Sequence, residues 1–530
     1  MTFDYLIVGA GSAGCVLANR LSANPQHRVC LLEAGPPDDS LLVRVPAGII
    51  ALMRSRRRNW RYWSVPQTAL DGRQLYIPRG KTLGGSSAVN AMIYTRGHRT
   101  DYDHWAALGN PGWAYEDVLP IFKRSENHAR GADAFHGADG SLAVSDLRYT
   151  HPVTAAFTAA AVQAGYRENH DFSGAEQEGA GPYQLTQRDG ERCSIARAYL
   201  APVRERSNLS VLTGALVTRV LLDGTRATGV ECQLRGGVRR IEAGTVILAA
   251  GAINSPQLLL LSGIGAREKL APHGIRQQHA LPGVGENLQD HPDALIVHRS
   301  RRHDSLSLGP GYLPQALRNA IRWGRARQGA FTTNVAEGGG FIRSQASEAI
   351  PDLQLHISAA LLDNHGLNWR FSLGWGYSAH VAVLRPRSRG TVTLASADPA
   401  AAPRIDPALL SDPDDAERLL RGVKILREIL AQDALAPWRG AEILPGAAVT
   451  SDAGLRQFLR AKTETIYHPV GTCKMGRDDM AVVDPNLRVH GLDGLYVIDA
   501  SIMPTLIGGN TNAPTVMIAE KAADGLLAPQ

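Results

Sequence analysis

The chain has 530 residues, 44% of them hydrophobic and 20% charged, the composition of a globular protein long enough to bury more than one core. Its net charge of +6 is modest at this length, and no Lys/Arg run is interleaved with stacking aromatics, so nucleic acid is excluded as a partner. Five cysteines (Cys15, Cys30, Cys193, Cys232 and Cys473) are scattered without metal-ligand spacing and read as reduced thiols, so neither a disulfide framework nor a metal site is expected.

Phe3–Val8 reads as a buried strand that enters Gly9-Ala10-Gly11-Ser12-Ala13-Gly14 directly. A helical pattern follows, with Val16, Leu17 and Leu21 on one face and Asn19 and Arg20 on the other, and then a second strand, Val29–Leu32, ending at Glu33. Strand, glycine turn, helix, strand and a closing acid form the dinucleotide fingerprint in its proper setting. Gly9 allows the tight turn, Gly11 lets backbone approach a pyrophosphate, and Gly14 lets helix and strand pack closely. The helix start offers free N–H groups and partial positive charge to that pyrophosphate, and Glu33 accepts from a ribose 2′-OH. A strand this close to Met1 leaves no room for a signal peptide, and no apolar run approaches the roughly 20 residues that span a bilayer. A cytoplasmic protein is expected, at most peripheral at the inner membrane.

Further along, Leu41–Met53 is apolar and is followed by Arg54, Arg56, Arg57 and Arg58. Pro78–Met92 then joins the basic pair Arg79 and Lys81 to a Gly84-Gly85-Ser86-Ser87 loop, which offers backbone N–H groups and hydroxyls to an anion. It lacks the elbow spacing of a serine nucleophile. Thr245–Leu248 is another buried strand, ending in the small residues Ala249, Ala250 and Gly251. In Tyr312–Arg327, Leu317, Ile321 and Trp323 alternate with Arg318, Arg322, Arg325 and Arg327. This stretch and the one at 41–58 suit an anionic membrane surface, and equally a pair of lid segments with solvated arginines. Gln354–Ile357, Ala379–Leu384 and Gly390–Leu394 have the short apolar pattern of an antiparallel sheet. Asp412 as N-cap, Pro413 in the first turn, and Leu419, Leu420, Val423, Leu426 and Leu430 on one face predict a helix. Leu495–Asp499 reads as a last buried strand. With no linker or repeat in sight, interleaved domains are expected: residues 1–155, 200–300 and 455–530 in one, 156–199 and 301–454 in the other.

Arg79–Asn90 and Gly251–Gly265 carry a family resemblance, together with Leu288-Gln289-Asp290-His291, Leu384–Gly390 and the C-terminal block. Over essentially its whole length the chain resembles the glucose–methanol–choline (GMC) family of FAD oxidoreductases. It is similar to bacterial choline dehydrogenases and more so to membrane-associated dehydrogenases of aliphatic alcohols. The resemblance implies an α/β protein: a Rossmann-like FAD-binding domain interleaved with a substrate domain built on an antiparallel sheet flanked by helices. The implied FAD contacts in the first turn are Gly9, Gly11, Ser12, Ala13, Gly14, Glu33 and Ala34. In the second loop they are Arg79, Thr82, Gly84, Gly85, Ser86, Asn90, Ala91 and Met92, and beyond it Val217, Ala250, Asp499, Ala500, Asn510 and Thr511. Val89 stands where some members tether FAD through a His, so the FAD is expected to be non-covalent.

The same resemblance marks His468, in Thr465–Gly476, as the active-site histidine; the residue alone, apolar-flanked and before Pro469, reads as structural. Anchoring on the helix after Pro514 places Asn512 at the second catalytic position and leaves Asn510 to support the loop or touch FAD. Alcohol oxidation requires removal of a hydroxyl proton and of a hydride from the same carbon. An imidazole with a pKa of about 6.5 suits the first task, and an uncharged amide donor suits the alkoxide oxygen. A helix starting near Ala513 would aim its positive end at the reduced flavin. The absence of a second nucleotide fingerprint sends the electrons to a quinone-like acceptor or to oxygen. The expected substrate is a primary aliphatic alcohol. A choline dehydrogenase (with Trp60, Trp63 and Tyr467 as an aromatic cage), an oxygen-using alcohol oxidase and, more distantly, an FAD-containing hydroxynitrile lyase stand as alternatives.

Overall fold

A computed structural model describes residues 2–528; residues 1 and 529–530 of the expected domain bounds lie outside it. The first sheet runs in the order Leu209–Thr213, Val29–Glu33, Phe3–Val8, Gly237–Leu248, Arg226–Leu234, Leu216–Asp223, and Leu495–Val497 also pairs with Gly237–Leu248. Its core is parallel: Tyr5 lies opposite Val29 and Thr245, and Val8 opposite Leu32 and Leu248. Leu6, Ile7, Cys30, Leu31, Val246 and Ile247 are fully buried, as in a strand layer covered on both faces. The predicted strand at 245–248 is the end of a longer one, whose first half pairs antiparallel with Arg226–Leu234. Because the parallel strands are in register, their carboxyl ends reach one edge together. Gly9, Glu33, Ala249 and Asp499 meet there, at the end of such a sheet where ligands bind.

Helices Ser12–Leu21 and Asn512–Leu527 pack against one another across the chain ends. Glu520, fully buried, accepts from Arg20 at 2.8 and 2.9 Å and from the Tyr199 hydroxyl at 2.8 Å. A carboxylate buried without such donors would cost several kcal/mol, roughly 3–5.

The second sheet is antiparallel, in the order Arg439–Leu444, Pro292–Ser300, Gly376–Val383, Leu353–Ser358, Ala336–Ile342, Gly179–Pro182, with Glu464–Thr465 paired to Pro292–Ser300. Side chains alternate between its faces. Ala294, Ile296, Leu355, Ile357, Ala379 and Val381 pack with Leu419, Leu420, Val423, Leu426 and Leu430 of the predicted helix, observed as Pro413–Leu430 with Asp412 accepting from the Asp414 N–H. The alternate residues Asp293, Leu295, His356, Ser358 and His380 face a cavity instead. Two expectations are corrected. Pro292–Ser300 and Glu464–Thr465, placed above in the domain of residues 1–155, 200–300 and 455–530, are strands of this second sheet. Thr391–Thr393 does not join it but pairs with Arg404–Asp406 in a separate two-stranded ribbon. No helix among the described residues is long and apolar enough to cross a membrane.

Candidate active site

One cavity of about 400 Å³ runs from the carboxyl edge of the first sheet to the inner face of the second. At its nucleotide end the glycines do what the fingerprint requires. Gly9 sits at φ +100°, and a Cβ there would lie 2.6 Å from the Ala249 carbonyl oxygen. A Cβ on Gly14 would lie 1.9 Å from the Gly9 oxygen, and one on Gly85 would lie 2.7 Å from the Gly11 Cα, so the two glycine loops meet backbone to backbone. Ser12–Leu21 has no side-chain cap and no acid in its first turn, leaving its positive end bare toward the cavity. Glu33 lines the cavity and accepts from the Ala10 N–H at 3.0 Å and the Gly35 N–H at 2.7 Å. Burial raises its pKa to about 7, against the pull of those two donors. Each carboxylate oxygen keeps a lone pair for a ribose hydroxyl. A bare helix start, a side-chain-free cradle and an acceptor carboxylate at the end of the second strand fit a dinucleotide such as FAD.

Of the expected cofactor residues, Gly11, Ser12, Ala13, Ala34, Arg79, Ser86, Asn90, Ala91, Met92, Val217, Ala250, Ala500, Asn510 and Thr511 also line the cavity. Asp499 lines it too, but its oxygens accept from Gly251 N–H, Ser255 Oγ and Ser501 N–H, so it clamps the helix start at Gly251 to the last strand. Gly14, Thr82 and Gly84 do not line it. Gly14 packs on Gly9, Thr82 donates to the Pro36 carbonyl at 2.8 Å, and Gly84, at φ +84°, donates its N–H to Ala10 at 2.7 Å. These three shape the cradle from behind. Arg192, which the sequence reading missed, is 1% exposed and donates to Asn90 through its backbone oxygen (2.6 Å) and Oδ1 (2.9 Å). No periodicity or spacing in the sequence marks it.

At the other end the His468 ring is fixed by a chain of bonds. His291 Nε2 lies 3.1 Å from the Ile507 carbonyl, which only accepts, so that nitrogen carries the proton. His291 Nδ1 is then an acceptor, and His468 Nδ1, 3.0 Å away, donates to it. His468 Nε2 is left with its lone pair. A second chain fixes its neighbour. Tyr183 donates to the Leu355 carbonyl at 2.6 Å, so its oxygen receives the Gln354 Nε2–H at 3.3 Å. Gln354 Nε2 also donates to Asn510 Oδ1 at 3.1 Å, which turns Asn510 Nδ2 toward His468 Nε2, 3.1 Å away. Two carbonyls that can only accept thus dictate both tautomer and amide orientation. Asp290 holds the backbone here, accepting from the His468 N–H at 2.8 Å. Burial, reinforced by His291, Arg79 and His356, keeps the His468 pKa well below its ordinary value, so the ring is neutral at pH 7.

The two asparagines therefore exchange places relative to the sequence reading. Asn510, expected to support the loop, partners His468. Asn512, expected at the second catalytic position, is the first residue of its helix, and its Oδ1 accepts from Ser12 at 2.7 Å. The uncapped start of Asn512–Leu527, within one residue of the expected Ala513, does face the cavity.

The outer cavity has an apolar side (Ile49, Ile50, Met53, Leu295, Leu362) and an ionisable one. Asp293 Oδ2 bonds His380 Nδ1 at 2.8 Å, while its buried Oδ1 has no partner. Glu464 bonds His365 at 2.7 Å and Arg73 at 2.6 Å. The three-aromatic cage does not assemble. Trp60 stacks on Tyr62 and carries Lys81 Nζ 4.1 Å over its ring, Trp63 packs on Tyr76 outside the cavity, and only Tyr467 joins Trp60 at the wall.

Comparison with known proteins agrees with this geometry. Family models described as GMC oxidoreductase match residues 3–293 and 386–519. The chain is 47% identical over 526 residues to the alcohol dehydrogenase [acceptor] of Pseudomonas putida, covering 98% of this chain and 95% of that protein. It is 46% identical to the mitochondrial choline dehydrogenase of Homo sapiens, covering 98% and 89%. Among solved structures, pyridoxine 4-oxidase from Mesorbium loti superposes with a TM-score of 0.90 at 34% identity, covering 99% of each chain.

Proposed function

The chain belongs to the GMC oxidoreductase family, and from that premise we propose that it oxidises a primary aliphatic alcohol to the aldehyde with non-covalently bound FAD, passing the electrons to a quinone-like acceptor. The observation that carries the reading is the His468–Asn510 pair. A lone pair on one and an N–H on the other converge 3.1 Å apart at the end of a dinucleotide cradle. FAD, when bound, supplies the acceptor for the hydride. His468 Nε2 takes the hydroxyl proton, and its forced tautomer means no ring flip precedes the step. Asn510 Nδ2 donates to the same oxygen and holds it as alkoxide character grows. The imidazolium that forms is disfavoured by burial and offset by the alkoxide beside it, so proton and hydride leave in close succession. Gly9, Gly11 and Gly85 bring backbone close enough to bind the pyrophosphate, and Glu33 accepts from the ribose. Val89 offers no nucleophile for a covalent tether.

The apolar side of the outer cavity, from Ile49 to Leu362, supports an alkyl chain. A second reading, a choline-type substrate, is favoured by Asp293, whose unpartnered buried oxygen at the wall matches a cationic head group. Anaerobic mixing of the purified protein with 1-butanol, 1-octanol and choline, read by flavin absorbance, tests both. Bleaching by the aliphatic alcohols supports the proposal, and bleaching by choline alone transfers it to the second reading. No bleaching by any alcohol overturns oxidation altogether. Slow recolouring in air, against fast recolouring with a soluble quinone, tests the acceptor.

A further inference from the structure

Eight of the fourteen large hydrophobic side chains most exposed on the described surface come from three segments that lie side by side. The helix Leu313–Ala326 is the centre. Leu313, Leu317 and Ile321, spaced four apart on one face, are 66%, 64% and 47% exposed, and Trp323 is its only buried residue. This is the reverse of a helix that packs its apolar stripe inward. Its C-terminal end is pinned: Trp323 Nε1 donates to the Gly190 carbonyl at 2.9 Å, and Arg327 lies 4.2 Å over the Trp323 ring. Glu191, nearly buried, then ties Arg327 (2.9 Å) and Arg44 (2.7 Å) to one carboxylate, which brings the Leu41–Arg44 turn with its exposed Leu41 and Leu42 beside the helix. At the helix N-terminal end the Leu308 N–H bonds the Ser372 carbonyl at 2.9 Å, adding exposed Leu308, Trp369 and Leu373.

The charge on these segments has one sign. Residues 305–332 contain four arginines and no acid, residues 41–58 five arginines and no acid, and residues 364–375 one arginine and no acid. Arg56, Arg57, Arg318, Arg322 and Arg325 make no ion pair among the described residues, and all are exposed. A lid closing over a cavity would turn its apolar face inward and needs no unpaired cations. A face that is apolar at the centre, basic at the margin and built from segments without acids of their own matches the interfacial zone of a bilayer carrying anionic lipid. Two of these segments run into the cavity wall, the first at Ile49, Ile50 and Met53 and the third at Asn364, His365 and Gly366.

We propose that this face, centred on Leu317 and Ile321 and rimmed by Arg318, Arg322 and Arg325, docks the protein on an anionic lipid surface. The surface does not depend on which alcohol is oxidised. Each arginine near such a surface contributes about fivefold in partitioning, and burying two aliphatic side chains contributes about tenfold or more. Holoprotein is mixed with vesicles of equal parts phosphatidylcholine and phosphatidylglycerol, or of phosphatidylcholine alone, and the sedimented fraction is measured. Binding should require phosphatidylglycerol and weaken with salt. Leu317→Glu with Ile321→Glu, and separately Arg318→Glu with Arg322→Glu, should each lower partitioning by about tenfold or more while alcohol-dependent bleaching in solution stays as in the parent. Equal binding to both vesicle types, or binding unchanged in both variants, overturns the proposal. So does a parent dimer that the first variant dissociates in sedimentation velocity without any vesicle binding, because the face would then be covered by a second copy of the chain.

Discussion

Replacing Asn510 and Asn512 one at a time by alanine separates two assignments that sequence alone leaves adjacent. Asn510→Ala removes the Nδ2 donor 3.1 Å from His468 Nε2 and, with it, the acceptor for Gln354 Nε2 at 3.1 Å and Thr95 Oγ1 at 3.4 Å. A preorganised donor to a developing oxyanion contributes about 10²–10³ in turnover, roughly 3–4 kcal/mol. The two donors left unpaired should destabilise the protein by about 1–3 kcal/mol. Asn512→Ala loses a single partly buried bond, from Ser12 at 2.7 Å. That is about 1 kcal/mol, at most about a fivefold change in rate or FAD affinity. The assay is the stopped-flow rate of flavin bleaching at saturating alcohol without oxygen, with thermal unfolding alongside. An expected ratio between the variants of at least about twentyfold follows from those two magnitudes. A slow Asn512→Ala beside a near-normal Asn510→Ala would refute the geometric argument and restore the assignment by helix anchoring.

Because His468 titrates well below its ordinary pKa, its base form persists as pH falls. The bleaching rate should therefore stay flat from pH 8 through 6 and decline only in more acid solution; a break near the ordinary histidine value of about 6.5 would contradict the burial argument. His291, lowered to about 4 by burial, should act as a positioning residue. His291→Leu frees His468 Nδ1 from its fixed acceptor, and the expected result is a loss of about tenfold or more in bleaching rate with little change in KM, together with an altered pH profile. The sign for stability is the same: a histidine held neutral in the fold contributes fully above its unfolded pKa of about 6.5 and loses that contribution as pH falls toward 4. Gly85→Ala places a Cβ 2.7 Å from Gly11 Cα at a φ of +52°, and should yield protein lacking yellow colour as purified; full FAD content would refute the close approach of the two loops. Acid precipitation of the parent should leave the yellow colour in the supernatant, and colour in the pellet would sink the non-covalent reading.

Sequence alone determined the parts of this protein whose logic is local. From Phe3 to Glu33 the fingerprint is a pattern within one strand–turn–helix–strand unit, so the glycine positions, the helix and the closing acid could all be read before the contacts to Ala249, Gly85 and Glu520 were known. The Pro413–Leu430 helix was legible for the same reason: its cap, its proline and its apolar stripe are periodic in the chain. The active site obeys a different rule. His468 and Asn510 come from separate loops, and the choice between asparagines two residues apart turns on the direction in which the chain enters a helix. The partners that fix them, His291 and Gln354, lie more than 150 residues from one of the groups they orient. Arg192 beneath the second glycine loop and Asp293 at the outer wall carried no pattern, because a buried charge is recognisable only from what surrounds it. Leu317, Ile321 and Trp323 were visible as the apolar part of a basic stretch, but not that Leu317 and Ile321 face outward while Trp323 is buried. Amphipathicity states that a helix has two faces, and only the tertiary structure decides which of them meets water.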